Sequence, residues 1–577
     1  MPVFFNGRLW TTPAVMSLVD DSAMANRNLG VDNILALLGT STGGEPNTAL
    51  RFGSPQEALA GLRSGPLADA AVKAFDPSAD TNAPATVVAV RVNPATQSGL
   101  TLQAGGSDVI TLAATDYGLW TNQIKVRVES ATTKGKRLST QVGSDYYTQD
   151  DVYRDAFSVV YTGAEATATL TLSNTQAVLS APAGSVVATI DLESFPTVTQ
   201  LVDRINALSG SGWAAEVLDG NDDKPTLNAL DTITAQSVKT TAYTASAHLQ
   251  ACVDWINGQG EGFVTATRAA NAGAPPDNLP WTYLSGGSDG TTTSTEWAAA
   301  FATLQAEDVQ WVVPLSSDAS IHAQADAHAA YMSDVARMER RAFVGGATGQ
   351  SIAEVKTAAK LLNSDRTAQV YPGHYDYDAS GSLVLRPSYM SAVLVAAAFS
   401  GSNPGTAMTN KTLKARGLEV KLRNPTDTDA LIKAGVLCVE DAPTGYRVVK
   451  SVSTWLKNAN YNRVEVSVGH ATDYTARAVR DALARFIGTK GSPMTIALAA
   501  SAAETALREL ARPEPAGPGI LVGDDASPAY RNITVALEGD VMRVQFECSP
   551  VIPINYIPIT IHIQPYSGAV SAAAAAA

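Results

Sequence analysis

Two short apolar runs, Val309-Gln310-Trp311-Val312-Val313-Pro314 and Ala342-Phe343-Val344-Gly345-Gly346, flank a long helical pattern from Asp318 to Arg341. Before them come a Gly-rich turn, Ser285-Gly286-Gly287-Ser288-Asp289-Gly290, and a shorter helical pattern from Glu296 to Ala306. The whole stretch runs from Leu279 to Gly346. Helices of ordinary length alternating with short buried strands predict a parallel sheet with crossover helices. Crossovers of this kind are right-handed, and such a sheet can carry a site at its strand ends.

Working outward, strand–helix alternation continues on both sides. Ile34 to Gly39 reads as a buried strand ending in a glycine turn. Ser54-Pro55-Gln56-Glu57 predicts a helix start, with an N-cap serine, proline at the first position and a glutamate placed for a capping box. The run Thr86-Val87-Val88-Ala89-Val90 sits in a strand from Ala85 to Val92. Downstream, Ser351-Ile352-Ala353-Glu354 is a second capping box, Gln369-Val370-Tyr371 a strand, and Ser388 to Ser400 an apolar, buried helix. From Asn93 to Ala274 the style changes: Thr, Ser, Val and Gly dominate, and alternation replaces helical period. A β-rich domain inserted into an α/β unit is expected, because helical alternation resumes after Pro275-Pro276.

Beyond Gly417 an α+β pattern is expected, with strands at Val436-Leu437-Cys438-Val439 and Arg463 to Val468 and helices at Thr472 to Ile487 and Met494 to Leu510. Two strands finish the chain. In one, Met542, Val544, Phe546 and Cys548 alternate with Arg543, Gln545 and Glu547; in the other, Ile557, Ile559, Ile561 and Ile563 share a face. Pro558 marks the latter as an edge strand. Met1 to Asp20, with scattered Phe4, Phe5, Trp10, Val15 and Leu18, reads as an extended arm. The implied map is an arm over 1–20, an α/β core over 21–92 and 275–416, an insertion over 93–274, an α+β domain over 417–550 and a terminal strand arm over 551–577.

The bulk numbers narrow the function. At 577 residues several domains are expected, and 45% hydrophobic with 17% charged residues favours folding. The net charge of −14, from 55 acidic and 41 basic side chains, argues against direct nucleic-acid binding, which needs clustered Lys and Arg. No apolar run approaches the about 20 residues of a membrane span. Met1-Pro2-Val3-Phe4-Phe5 lacks the basic head of a signal peptide, and Cys252, Cys438 and Cys548 are odd in number, so reduced thiols in a cytosolic product are expected.

Candidate chemistry is sparse. Asp318 and His322 crowd Ser316, Ser317 and Ser320 at one helix start, where Ser and Asp are the usual caps. His328 shares an apolar helix face with Ile321, Ala325, Met332 and Val335, a core position. His374, Asp376 and Asp378 have metal-like spacing but sit between Pro372-Gly373 and Ser380-Gly381, which favours a polar turn. The glycine turns lack the Gly-Lys-Ser/Thr ending of a phosphate loop. No catalytic group, cofactor or metal is expected. Arg477, Arg480 and Arg485 make a basic side on one helix, a candidate contact for an acidic partner.

The order of these motifs resembles the tail sheath proteins of contractile-tailed bacteriophages. Matching features are Ile34 to Gly39, Phe52-Gly53-Ser54-Pro55, Val87 to Val92, Tyr117-Gly118-Leu119-Trp120-Thr121-Asn122-Gln123-Ile124, Leu284 to Gly290, His322 and His328, Ala434-Gly435-Val436-Leu437, Ser451-Val452-Ser453-Thr454-Trp455 and the Pro-broken terminal isoleucines. The resemblance implies a subtilisin-like α/β core without protease activity, an outward β-rich insertion and a C-terminal domain facing an inner tube. It implies helical self-assembly as stacked rings, contraction that drives the tube through the host envelope, and contacts with tube, baseplate and tail terminator proteins. It implies assembly in the host cytoplasm and residence in the virion tail. Edge strands can add to a neighbour's sheet, so strand exchange between subunits is expected at Trp10, Val15, Leu18, Ile557, Ile559, Ile561 and Ile563, and tube contact at Arg477, Arg480 and Arg485. The rival expectations are the sheath of a phage-like bacteriocin or secretion machine, and a hydrolase with an unrecognised site.

Overall fold

The computed structural model describes residues 3–5, 8–10, 34–208, 210–259, 262–378, 381–565 and 568. It is a mixed α/β, multidomain chain with several separate sheets. Two compact units emerge: one holds Met1–Leu35, Ala74–Ala85 and Val309–Ala577, the other Ala36–Lys73 and Thr86–Asp308.

The first unit contains the predicted parallel sheet. Trp311–Pro314, Arg341–Gly345, Thr367–Tyr371 and Val436–Ala442 lie in that order, in registers Trp311↔Arg341, Ala342↔Thr367 and Gln369↔Val436. Gly445–Val448 adds antiparallel at the edge. The crossovers carry the helices Ala319–Asp334, Ile352–Leu362 and Ser388–Ser400. Ser351 and Glu354 form the expected capping box. Ser388–Ser400 is buried at every position but Tyr389 and packs on the first three strands of the sheet. Its Phe399 stacks on Trp311 at 5.1 Å, and His470 meets the same indole edge-on at 4.6 Å.

Three sequence expectations change here. Val436–Ala442 is part of the parallel sheet, so the α/β sheet continues past the boundary expected at Gly417. Val436, Leu437, Cys438 and Val439 are all buried, the unalternating run of a strand covered on both faces. The strand expected over Arg463 to Val468 is helical: Tyr461–Val464 is followed by Val466–Ala484, with Glu465 at the break. Val464, Val466 and Val468 alternate, but Val466, His470, Asp473 and Arg477 carry the longer helical period, and the longer signal prevails. No strand forms at Ile557 to Ile563; residues 551–565 carry no assigned element.

The C-terminal part of this unit pairs Val466–Ala484 with Pro493–Leu510, and a two-stranded ribbon, Tyr530–Glu538 against Val541–Cys548, packs on the second helix. The alternation expected over Met542 to Cys548 holds: Val544, Phe546 and Cys548 pack against the helix core while Arg543, Gln545 and Glu547 are exposed.

The second unit holds Thr86–Arg91, Ala49–Phe52, the strand Ile34–Gly39 from Ala36 on, and the β-rich region; Thr86–Arg91 lies between the other two strands. Ser54 caps the helix Pro55–Leu62, accepting from the Glu57 amide at 3.3 Å; Glu57 in turn accepts from Gly53 N–H, one residue before the cap. The β-rich region has two cores. One surrounds the helix Val198–Asn206 with strands between Asp155 and Ser246; the other joins the helix His248–Asn257 to strands between Gly99 and Tyr283. Leu279–Tyr283 pairs antiparallel with Lys125–Ser130, so the β-rich region runs past Pro275-Pro276 and takes in the start of the stretch assigned from sequence to the α/β alternation.

Candidate assembly interface

The motifs of the second unit converge on Arg91. Its side chain is fully buried and donates to the carbonyls of Gly44 (2.8 Å) and Tyr117 (3.1 Å) and to Asp289 Oδ1 (3.0 Å). Asp289 Oδ1 also accepts from Leu119 N–H, and Asn122 exchanges two hydrogen bonds with the backbone of Gly287. Gly118 has φ +113°, and a Cβ there would lie 2.6 Å from both Asp289 Oδ1 and Thr42 O. The glycine turns thus bind one another and Arg91; their backbone role is structural. Burial lowers the Arg91 pKa, with Asp289 and Asp116 opposing.

The candidate chemical groups are likewise engaged. Asp318 caps its helix by accepting from Ser320 N–H at 2.8 Å. His322 Nε2 lies 2.8 Å from the Ser316 carbonyl, which can only accept, so that nitrogen carries the proton. His374 is buried in a strand, His374–Tyr377, that turns Asp376 inward and Tyr377 out, rather than in the expected polar turn. Its Nδ1 is 2.9 Å from Ser391 Oγ, whose hydroxyl donates to the Pro372 carbonyl. Among the described residues no group of three His, Cys, Asp or Glu side chains is placed to hold a metal ion. Burial pushes the Cys252 and Cys438 thiols up to about 12.

His328 accepts from the Arg340 guanidinium through Nε2 at 3.0 Å. Burial, reinforced by the Arg340 charge, pushes its pKa down to about 3. An unfolded histidine titrates near about 6.5, so the unfolded chain gains a proton here that the folded chain does not. His328 therefore lowers stability as pH falls from 6.5 towards 3. Burial shifts His322 in the same direction. In thermal melts of dilute, unassembled protein, His328→Gln loses less stability between about pH 6.5 and 4 than the parent does. Parallel pH curves for the two proteins contradict this assignment.

The basic helix side is not free. Arg477 Nε lies 3.2 Å from Glu339 Oε2, Arg480 pairs with the other Glu339 oxygen, and Glu339 is itself buried. Arg485 lies over the Phe486 ring at 5.1 Å. Sequence shows three arginines on one helix side; it does not show an acidic partner 138 residues away. The same helix carries a second buried charge missed from sequence: Asp473 accepts from Arg341 at 2.9 Å and from Arg366 at 2.8 Å. The available signal is Arg340-Arg341 at the mouth of a buried strand, since arginine is seldom buried without a partner.

The longest run of exposed large apolar residues among the described residues lies near the C-terminal end. Ile554, Tyr556, Ile557, Ile559, Ile561 and Ile563 are 77–90% exposed. The ribbon beside them has two strands and so keeps unpaired edges. At the other end, Val3–Phe5 pairs with Arg8–Trp10, in register Val3↔Trp10, so this part of the expected extended arm folds back as a hairpin. Val15 and Leu18 lie outside the described residues.

No family model matches the chain. Individual proteins do. The tail sheath protein of Bacillus phage SP01 is 29% identical over 98% of this chain and 98% of its own length. Its counterpart in Enterococcus phage phiEF24C is 30% identical over 94% of this chain and 95% of its own length. The chain belongs to the tail sheath protein family of phages. Solved structures carry the same fold: the sheath tail protein of Listeria innocua matches with a TM-score of 0.54 at 13% identity, over 92% of this chain and 94% of its own. That of Desulfitobacterium hafniense matches at 0.50 over 93% of this chain and 100% of its own, also at 13% identity. For a sheath subunit the features that matter are surfaces. The uncovered isoleucines and the open ribbon are the candidate site.

Proposed function

We propose that this chain polymerises helically around a tail tube and contracts to drive the tube through the host envelope. A head-to-tail contact that does not close produces an open helical filament. Neighbouring subunits are linked by strand exchange: Ile557 to Ile563 of one chain adds to the ribbon of another, with the N-terminal segment around Trp10, Val15 and Leu18 as a further strand. The single observation that carries this reading is the exposure of four alternating isoleucines in one continuous stretch, 77–90% each. Such an edge invites another chain unless it is blunted, and no Lys or Arg stands between Gln545 and Ala577.

The parallel sheet is read as a subtilisin-like core that has no protease role. The engagement of His322 with a backbone carbonyl and of Asp318 as a helix cap supports that reading. The β-rich region faces outward, and the C-terminal helices face the tube, with the tube contact centred on Arg485 because Arg477 and Arg480 already serve Glu339. Baseplate and tail terminator proteins are the further partners, and the virion tail is the site of action after assembly in the host cytoplasm. Linked terminal strands keep subunits connected while their bodies rotate, and the extended state is metastable behind a kinetic barrier.

Negative-stain micrographs of the purified protein test the reading. Long tubules are expected. Discrete particles that hydrolyse an ester or peptide substrate would replace it with the hydrolase alternative.

A further inference from the structure

Over its first half the terminal arm turns Val551, Pro553 and Asn555 to its own subunit and leaves Ile552, Ile554 and Tyr556 exposed; over its second half every residue is exposed. Val551 N–H donates to the Ile520 carbonyl at 2.9 Å, and Pro550 bridges to Leu521. Four residues on, the Asn555 side chain is held at both ends. Its Oδ1 accepts from Thr409 Oγ1 at 3.0 Å, and its Nδ2 donates to Glu465 Oε2 at 3.4 Å. Glu465 is 1% exposed, and its other oxygen accepts from the buried Ser451 hydroxyl. Lys450 Nζ lies 5.5 Å from the centre of the Tyr556 ring. From Ile557 onward the alternating isoleucines are exposed.

A buried carboxylate is costly unless it is hydrogen-bonded, so the few donors that reach it are held firmly. Glu465 stands at the N-cap position of the helix Val466–Ala484 without a side-chain bond to it, and the helix's N-terminal partial positive charge favours a nearby anion. Burial raises its pKa, while Ser451, Lys450 and Asn555 pull it back. The Asn555 amide is thus one of a small set of groups that make the Glu465 site tolerable. Further along, the same helix is tied to the parallel sheet where Asp473 meets Arg341 and Arg366. One helix therefore touches the root of the arm at its first residue and the sheet in its middle.

We propose that Asn555, seated on Glu465 and Thr409, is the fixed pivot of the C-terminal arm: it pins residues 551–556 to their own subunit and frees the strand that follows, so that the arm swings at Tyr556–Ile557. The pivot rests on the strand-exchange reading for its purpose, though not for its existence. With the root fixed, the reach of the exchanged strand is set by the residues after Tyr556, and pull on that strand passes into the helix Val466–Ala484 and on to the sheet. Asn555 and Glu465 are positioning residues; the isoleucines make the contact.

Hydrogen–deuterium exchange on the dilute, unassembled full-length chain tests this, with tubule formation scored by microscopy in a concentrated portion of the same preparation. In the parent, the Val551 amide, which donates to the Ile520 carbonyl, exchanges slowly and the amides of 557–564 exchange at the rate of an unfolded chain. Asn555→Asp sets a second carboxylate against Glu465 and speeds exchange at Val551 by about tenfold or more, leaving the sheet amides unchanged. Asn555→Gln, which keeps the amide, restores part of the protection. Fast exchange at Val551 in the parent, or unchanged protection there in Asn555→Asp, overturns the pivot. Tubules without the exchange boundary count against the pivot alone; the boundary without tubules counts against the sheath reading and leaves the anchor standing.

Discussion

Replacing Ile557, Ile559, Ile561 and Ile563 together by serine yields a chain that folds as the parent does and does not polymerise. Each side chain is at least 77% exposed in the single chain, so removing it leaves no cavity and exposes no core. In an assembly each one is covered. Burial of an isoleucine contributes roughly 1.5–3 kcal/mol, so four contribute on the order of 6–12 kcal/mol per subunit contact. Each about 1.4 kcal/mol is a tenfold change in association, and the loss moves polymerisation out of any accessible concentration range. Sedimentation velocity reads the assembly and thermal melting reads the fold. Tubules persisting in the substituted chain remove the arm from the linkage; a melting temperature lowered by more than a few degrees shows that the isoleucines serve the subunit itself.

Asp473→Ala produces the largest loss of stability. The Asp473, Arg341 and Arg366 side chains are 13%, 6% and 17% exposed, and the one carboxylate faces both guanidinium groups. Removing it leaves two largely buried arginines with only the weaker influence of Asp365 and, for Arg366, Asp334. Breaking a buried pair by deleting one partner typically costs about 3–5 kcal/mol, more than the intact pair is worth, because the remaining charge stays desolvated. Burial pushes the Asp473 pKa up, but Arg341 and Arg366 outweigh it and hold it below the usual carboxylate range. Its contribution is therefore present above the unfolded value of about 3.9 and lost as pH falls below it. Urea unfolding of unassembled protein measures the effect; a change under about 1 kcal/mol contradicts it.

These two cases also mark what the sequence makes legible. The signal of the isoleucine arm is local, namely alternation, an interrupting proline and no Lys or Arg nearby, although the strand it suggests does not form within the subunit. The strands Trp311–Pro314, Arg341–Gly345 and Thr367–Tyr371 and the Ser54 and Ser351 caps are readable for the same reason, since each rests on residues within one turn or one strand. The Asp473 and Glu339 pairs are not. An aspartate on a helix looks like any solvated charge until its partner, 132 residues away for Arg341, is brought beside it. The arginines of that helix misled for the mirror reason: three cations at helical spacing describe a face, and only the fold shows that Glu339 occupies it. The start of Val466–Ala484 reads as a strand in sequence because two periods overlap there, and Pro275-Pro276 suggests an end to the β-rich region that strand pairing at Leu279 carries further on.

The claim on which the rest depends is that the isoleucine arm leaves its own subunit. Electron cryo-microscopy of the assembled tubules, at a resolution that traces Val551 to Gln564, tests it most directly. The account predicts a helical lattice in which residues 551–556 stay on their own chain and Ile557 to Ile563 pairs as a strand on the ribbon Tyr530–Glu538 and Val541–Cys548 of a neighbour. A lattice in which that segment folds back on its own ribbon, or runs free in solvent while subunits meet elsewhere, contradicts it.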